Sequence, residues 1–160
     1  MIGPDEIWMQ KALEAAEKAS KLGEVPIGAC LLDENGELLA TASNRTIIDS
    51  DPTAHAEVLV LRQAALRIGN YRLTGTTLYT TIEPCVMCAG ALVNARVKRL
   101  VFGALDERFG AVQTLFRLCS HEVLNHQIEI TSGVLAAECR ELVQIFFQDR
   151  RKLAREDEVG

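Results

Sequence analysis

The sequence predicts an α/β fold in which helices are layered on a mixed β-sheet. Three observations carry that expectation. Segments with apolar residues at helical spacing alternate with short apolar or β-branched runs. The first two such runs are separated by one tight turn, so they form an antiparallel hairpin and the sheet cannot be wholly parallel. No repeat, low-complexity tract or linker interrupts the alternation, and 160 residues suit one domain better than two. Residues 1–160 are therefore expected to form a single domain, with about 155–160 as a solvated tail.

The elements follow in order. Residues 7–22 place Ile7, Ala12, Ala15, Ala16, Ala19 and Leu22 at helical spacing, with Lys11, Glu14, Lys18 and Lys21 between them. This is an amphipathic helix stopped by Gly23. Residues 25–32 are an apolar run of the kind found in buried strands. Asp33-Glu34-Asn35-Gly36 is a turn, and residues 37–43 return as the second strand. Residues 53–68 are again helical, between Pro52 and Gly69-Asn70. Residues 76–82 are rich in β-branched and aromatic side chains and predict a strand. Residues 85–95 form a helix of small residues, and 98–103 a further strand. A polar loop spans 106–110. A short irregular helix, a strand at 127–131 and a long helix from about 135 to 153 complete the chain.

Composition narrows the function. Apolar residues make up 48% of the chain, enough for a sizeable core, but no apolar run approaches the length of a membrane span. The first residues, Met1-Ile2-Gly3-Pro4-Asp5-Glu6, lack the basic start and apolar stretch of a signal peptide, so a cytoplasmic location is expected. Five cysteines are an odd number, and Cys85 and Cys88 lie close together, which favours metal or redox chemistry over a disulfide framework. A net charge of −5 argues against a general nucleic-acid coat protein while leaving room for a local basic patch.

Two local features carry the chemistry. His55-Ala56-Glu57 opens one expected helix, and Pro84-Cys85-Val86-Met87-Cys88 opens the next. Helix N-termini lower a thiol's pKa and favour the thiolate that binds metal. Two cysteines separated by two residues both reach one ion from a first helical turn. His55 as a third ligand leaves the fourth tetrahedral position open for water, the mark of a catalytic rather than a structural zinc. Glu57 is then the natural proton carrier. Residues two apart do not share a helix face, so this assignment requires His55 to stand at the helix entrance. In the order H-x-E then P-C-x-x-C, the residues match the zinc-deaminase signature. The plain alternative is a structural zinc that recruits Cys30, Cys119 or Cys139, none of which has a paired ligand spacing.

Beyond the signature, several segments resemble the bacterial tRNA-specific adenosine deaminases. They are residues 51–57, Asn70-Tyr71-Arg72-Leu73, residues 83–91, Val101-Phe102-Gly103-Ala104, Leu124-Asn125-His126, residues 130–135 and Phe146-Phe147. The resemblance runs from about Ile7 to Arg151. It implies a cytidine-deaminase-like three-layer α/β/α sandwich around a five-stranded mixed sheet. It also implies a homodimer that converts the wobble adenosine of a tRNA anticodon stem-loop to inosine, with Zn2+ as cofactor and no membrane partner. Zinc-activated water would attack C6 of adenine while Glu57 delivers a proton to N1. By position, Asn44 would hydrogen-bond the flipped base and the backbone N–H of Ala56 would help read its edge. Asp106 would approach the substrate backbone, and Phe147 would line the nucleotide channel.

Each of these roles has a duller counterpart. Asn44 could cap a turn, Asp106 could be an ordinary loop acid, and Phe147 could belong to the core beside Val143, Ile145 and Phe146. His126 reads as a hydrogen-bonded structural histidine and His121 as a solvated loop residue. Arg96, Lys98 and Arg99 form one basic cluster, and Arg150, Arg151, Lys152 and Arg155 another; either could touch phosphate. Leu105 stands where many family members carry a basic residue, and Gln148 and Asp149 are less basic than the family pattern. Two rival functions remain. One is a sister deaminase of a free base or nucleotide, such as guanine or deoxycytidylate. The other is a non-catalytic, zinc-stabilised RNA-binding module.

Overall fold

Five strands pair in the order β2-β1-β3-β4-β5, with helices on both faces, in a computed structural model that describes residues 1–159. The elements are α1 (Pro4–Lys21), β1 (Gly28–Leu32), β2 (Leu38–Ser43), α2 (Ala56–Ile68), β3 (Thr77–Ile82), α3 (Val86–Asn94), β4 (Arg99–Ala104), β5 (Glu129–Thr131) and α4 (Ala136–Val159). β1 runs antiparallel to both β2 and β3, as the hairpin predicted, while β3, β4 and β5 are parallel. The sheet is mixed and the architecture is the expected α/β/α sandwich.

Strand periodicity divides the core in two. Ala29, Leu31, Leu78, Leu100 and Phe102 point to one face, where Val60, Leu61 and Ala64 of α2 and Ala89 and Leu92 of α3 cover them. Cys30, Leu32, Tyr79 and Val101 point to the other, against Met9 and Ala12 of α1 and Cys139 of α4. Two glycines allow the helices on that second face to lie flush. A Cβ on Gly28 would collide with the Ala12 carbonyl oxygen and the Ala16 nitrogen of α1. One on Gly103 would collide with Cys139 Sγ and the Thr81 carbonyl oxygen.

Asp5 ties α1 to the start of the parallel strands. Its carboxylate accepts two bonds from Arg99, at 2.9 and 2.7 Å, and one from the Tyr79 hydroxyl at 2.8 Å. Arg99 also reaches the Thr131 hydroxyl at 2.9 Å.

Three expectations need correction. The helix foreseen over 53–68 begins only at Ala56, because Asp51 Oδ1 takes both the backbone N–H and the hydroxyl of Thr53 and holds the chain in a turn. The short helix foreseen after Gly110 is a series of turns. The last helix does not end near 153 but continues through Val159, so residues 155–159 are helical as well as exposed. Gly160, the end of that expected tail, lies outside the described residues.

Candidate metal centre and active site

His55 is the residue just before α2, with extended backbone angles of φ −78° and ψ 149°. It therefore leaves the chain free of the helical rotation that would separate it from Glu57, which lies in the first turn and is buried. Cys85 occupies the same position ahead of α3, and Cys88 follows in its first turn. Parallel strand ends thus deliver two helix entrances to one place, as is usual for sites in α/β sheets.

His55 Nδ1 lies 3.6 Å from Cys85 Sγ and 3.5 Å from Cys88 Sγ, and the three donor atoms are all within 4.8 Å of one another. Zinc–nitrogen and zinc–sulfur bonds at the tetrahedral angle set the N···S edge at about 3.6 Å. The donor set and its spacing therefore fit a tetrahedral metal ion approached through Nδ1. Among the described residues no fourth histidine, cysteine or acid joins the group. Cys30 points its thiol at the Trp8 carbonyl, Cys119 faces the Ala89 carbonyl, and Cys139 packs between α4 and the sheet. Burial pushes each of these three thiols up to about 12. They are ordinary core cysteines, so the alternative of a four-ligand structural site fails.

The protein groups alone already favour a thiolate at this point. A hydrogen bond from Cys88, aided by His55, brings the Cys85 thiol down to about 4. The same bond, together with burial, pushes Cys88 up. His55 is raised, first by its hydrogen bond to Cys85. Glu57 is raised by burial, and His55 and Cys88 are near enough to pull it partly back. Its Oε1 is the one buried side-chain oxygen or nitrogen among the described residues with no hydrogen-bond partner. A buried carboxylate oxygen without a partner, set beside a ligand cluster, is an acceptor suited to a substrate or water hydrogen.

The remaining candidate residues fall in three places. Asn44 is buried, and its Oδ1 accepts the Ala56 N–H at 2.9 Å, so the two residues expected to read the base meet each other at the start of α2. Asp106 Oδ1 accepts the N–H groups of Arg108 at 3.0 Å and Phe109 at 3.1 Å, which organises its own loop. Phe147 is 42% exposed and stacks edge-on against Phe146 at 5.4 Å; Phe146 is the member of the pair in the core. His126 Nε2 sits 2.7 Å from the Val97 carbonyl, the structural role expected of it, and His121 is exposed. Each basic cluster gives one member to the scaffold. Arg99 pairs with Asp5, and Arg150 lies 4.9 Å over the Phe146 ring while donating to the Gly23 carbonyl.

Two buried acids had no role in the sequence reading. Glu24 is fully buried and accepts the N–H groups of Ile47 at 2.8 Å and Ile48 at 2.7 Å, with the Thr46 hydroxyl at 3.3 Å. Glu83 directly follows β3 and takes donors from the loop at 106–114. That capture is why the loop turns instead of forming the expected helix: its N–H groups are spent on a side chain. The available signal was an acid set directly beside a buried apolar strand, where only a hydrogen-bonded carboxylate is tolerated.

Comparison with known proteins agrees with this geometry. Residues 4–151 match the MafB19-like deaminase family. A tRNA-specific adenosine deaminase of Haemophilus influenzae is 51% identical over 148 residues, covering 92% of this chain and 86% of that protein. A solved structure from a study of A-to-I editing by tRNA A34 deaminases at the wobble position superposes with a TM-score of 0.82 at 42% identity, over 85% of this chain and 98% of that one. A guanine deaminase from Nitrosomonas europaea is more distant, with a TM-score of 0.78 and 26% identity over 91% of this chain and 85% of its own. Similarity of this extent in sequence and in fold means that the chain belongs to the family of the tRNA-specific adenosine deaminases, within the MafB19-like deaminases.

Proposed function

We propose that the protein hydrolytically deaminates adenosine to inosine at the wobble position of a tRNA anticodon, using zinc held by His55, Cys85 and Cys88. The observation that carries this reading is the pairing of a three-ligand cluster with a buried Glu57 whose Oε1 is unpartnered. The tRNA assignment draws on the named activity of the relatives. Bound zinc would lower the pKa of water toward neutrality and so supply the nucleophile.

Glu57 moves the protons. Its carboxylate accepts one from the attacking water and gives it to N1 of adenine. The water oxygen bonds to C6, the bond from C6 to the exocyclic nitrogen breaks, and ammonia leaves with a second proton passed through Glu57. A buried carboxylate at hydrogen-bonding distance from the reacting atoms can both accept and release a proton. Asn44 spends its Oδ1 on Ala56 N–H, which leaves its Nδ2 as a donor toward an acceptor on the flipped base. Arg108, Arg151, Lys152 and Arg155 are exposed and available to phosphates, and exposed Phe147 offers an aromatic edge to the nucleotide channel. Asp106 acts on the substrate backbone through the loop it orders.

A homodimer in the cytoplasm belongs to the same proposal. The dimer rests on the resemblance to the family, and exposed apolar side chains such as Leu66, Tyr71 and Val123 are available for an interface to cover. No helix among the described residues is long and apolar enough to cross a membrane. Sedimentation of the purified protein should give twice the monomer mass.

The deciding experiment incubates zinc-loaded protein, and its Glu57→Ala variant, with an anticodon stem-loop carrying adenosine at the wobble position. Inosine is expected from the wild type alone. Rapid turnover of free guanine or deoxycytidylate with none of the stem-loop would overturn the tRNA assignment. A zinc-containing protein that deaminates nothing would instead support the RNA-binding module.

A further inference from the structure

Glu83 lies two residues before Cys85 and is only 3% exposed. One loop directs five donors at its carboxylate: the N–H groups of Asp106 at 3.1 Å, Val112 at 3.1 Å, Gln113 at 2.8 Å and Thr114 at 3.0 Å, and the Thr114 hydroxyl. The Ala111 N–H adds a bond to the Pro84 carbonyl at 2.9 Å. Gly110 passes so close that a Cβ there would strike Glu83 Oε1. The loop has no helix or strand of its own, so these bonds to residues 83 and 84 set its place beside the metal ligands. Asp106 then relays the constraint, because its carboxylate holds the N–H groups of Arg108 and Phe109, whose side chains are exposed.

We propose that Glu83 is a positioning residue: it fastens the 106–114 loop to the strand end that leads into Cys85, and thereby fixes the wall of the site against which the substrate nucleotide is held. This inference rests on the deaminase reading above. A carboxylate suits the task because both its oxygens only accept: Oε1 takes the Asp106 N–H and the Thr114 hydroxyl, and Oε2 is shared by the N–H groups of Val112, Gln113 and Thr114. A neutral amide in its place would turn one acceptor into an N–H pair facing other N–H groups.

The test uses the metal-loaded, full-length protein and its Glu83→Gln variant. Amide hydrogen exchange is followed at residues 106, 112, 113 and 114, together with metal content and with kcat and KM on the anticodon stem-loop. Positioning predicts at least tenfold faster exchange at those amides alone and undiminished metal. It also predicts a KM raised about tenfold, with kcat changed by less than threefold. Loss of metal would mean that Glu83 supports the ligands rather than the loop, and would overturn the proposal. So would an unchanged KM or unchanged exchange at the four amides. Should Glu83→Gln fail to fold, Thr114→Val removes only the hydroxyl bond. It should move exchange and KM in the same direction by two- to threefold, and no movement would overturn the proposal. Hydrogen exchange needs no substrate. A wild type inactive on the stem-loop would therefore defeat the tRNA reading, while the exchange result still decides whether the loop is fastened as described.

Discussion

Glu57 and Glu83 are equally buried, at 4% and 3% exposure, and their surroundings are opposite. Five donors of one loop are turned toward Glu83; burial raises its pKa, but the bonds from Thr114, Gln113 and Asp106 together outweigh burial and hold the carboxyl below its ordinary range. Glu57 keeps an oxygen with no partner, and burial holds it above that range. Glu24 repeats the Glu83 pattern on the other flanking loop, at 46–48. The contrast separates two uses of a buried acid. Filled acceptors bind the chain to itself, whereas the unpartnered acceptor beside the His55, Cys85 and Cys88 cluster is the one that the proposed function gives to proton transfer.

The contrast can be broken by substitution. Replacing Cys88 with Ala should have the largest effect, removing both bound metal and deamination to background, as metal analysis and inosine assay will report. Glu57→Ala should lower kcat by about 10³-fold, in the range of a lost general acid–base group. Its metal content should be unchanged and the protein should stay folded, because Oε1 has no hydrogen bond to lose. Metal loss in that variant would make Glu57 a ligand and erase its distinction from the cluster. Glu24→Ala reverses the pattern: stability in denaturant should fall by about 3 kcal/mol, since two backbone N–H groups lose their acceptor. Its metal content should persist.

The smallest effect belongs to the far end of the sheet. Asp5→Asn should cost about 1–2 kcal/mol at neutral pH. The hydrogen bond from Arg99 is the main cause that holds Asp5 below the usual carboxylate range. A depressed folded pKa contributes stability that is fully present above the unfolded value and lost as pH falls through the folded one. The wild-type and Asp5→Asn stability curves should therefore converge in acid. A gap that persists there would assign the effect to packing.

Much of this architecture was legible because it depends on local pattern. The hairpin at 28–43 follows from two apolar runs and an Asn-Gly turn, and the ligand cluster from residue types at short spacing. The entrance position of His55, required by the spacing to Glu57, is what the backbone adopts. What stayed hidden depends on long-range pairing. Glu24 reaches Ile47 and Glu83 reaches Gln113, contacts separated by 23 and 30 residues that leave no periodic trace. The missing helix after Gly110 has the same origin, since its donors are claimed by an acid from another element. The overrun of α4 has a different one: its last turns are exposed on all sides, so no change of hydrophobic pattern marks their end.

The flush contacts at Gly28 and Gly103 bear on how the protein tolerates mutation. Any side chain at either position must displace backbone or the Cys139 sulfur, and with it α1 or α4. A survey of random variants scored by survival of activity would mark these glycines as sharply as Cys85, although neither touches the chemistry. Scored by abundance of folded protein, the same survey would divide them: the glycine variants would disappear, and Glu57 variants would accumulate as intact, silent protein.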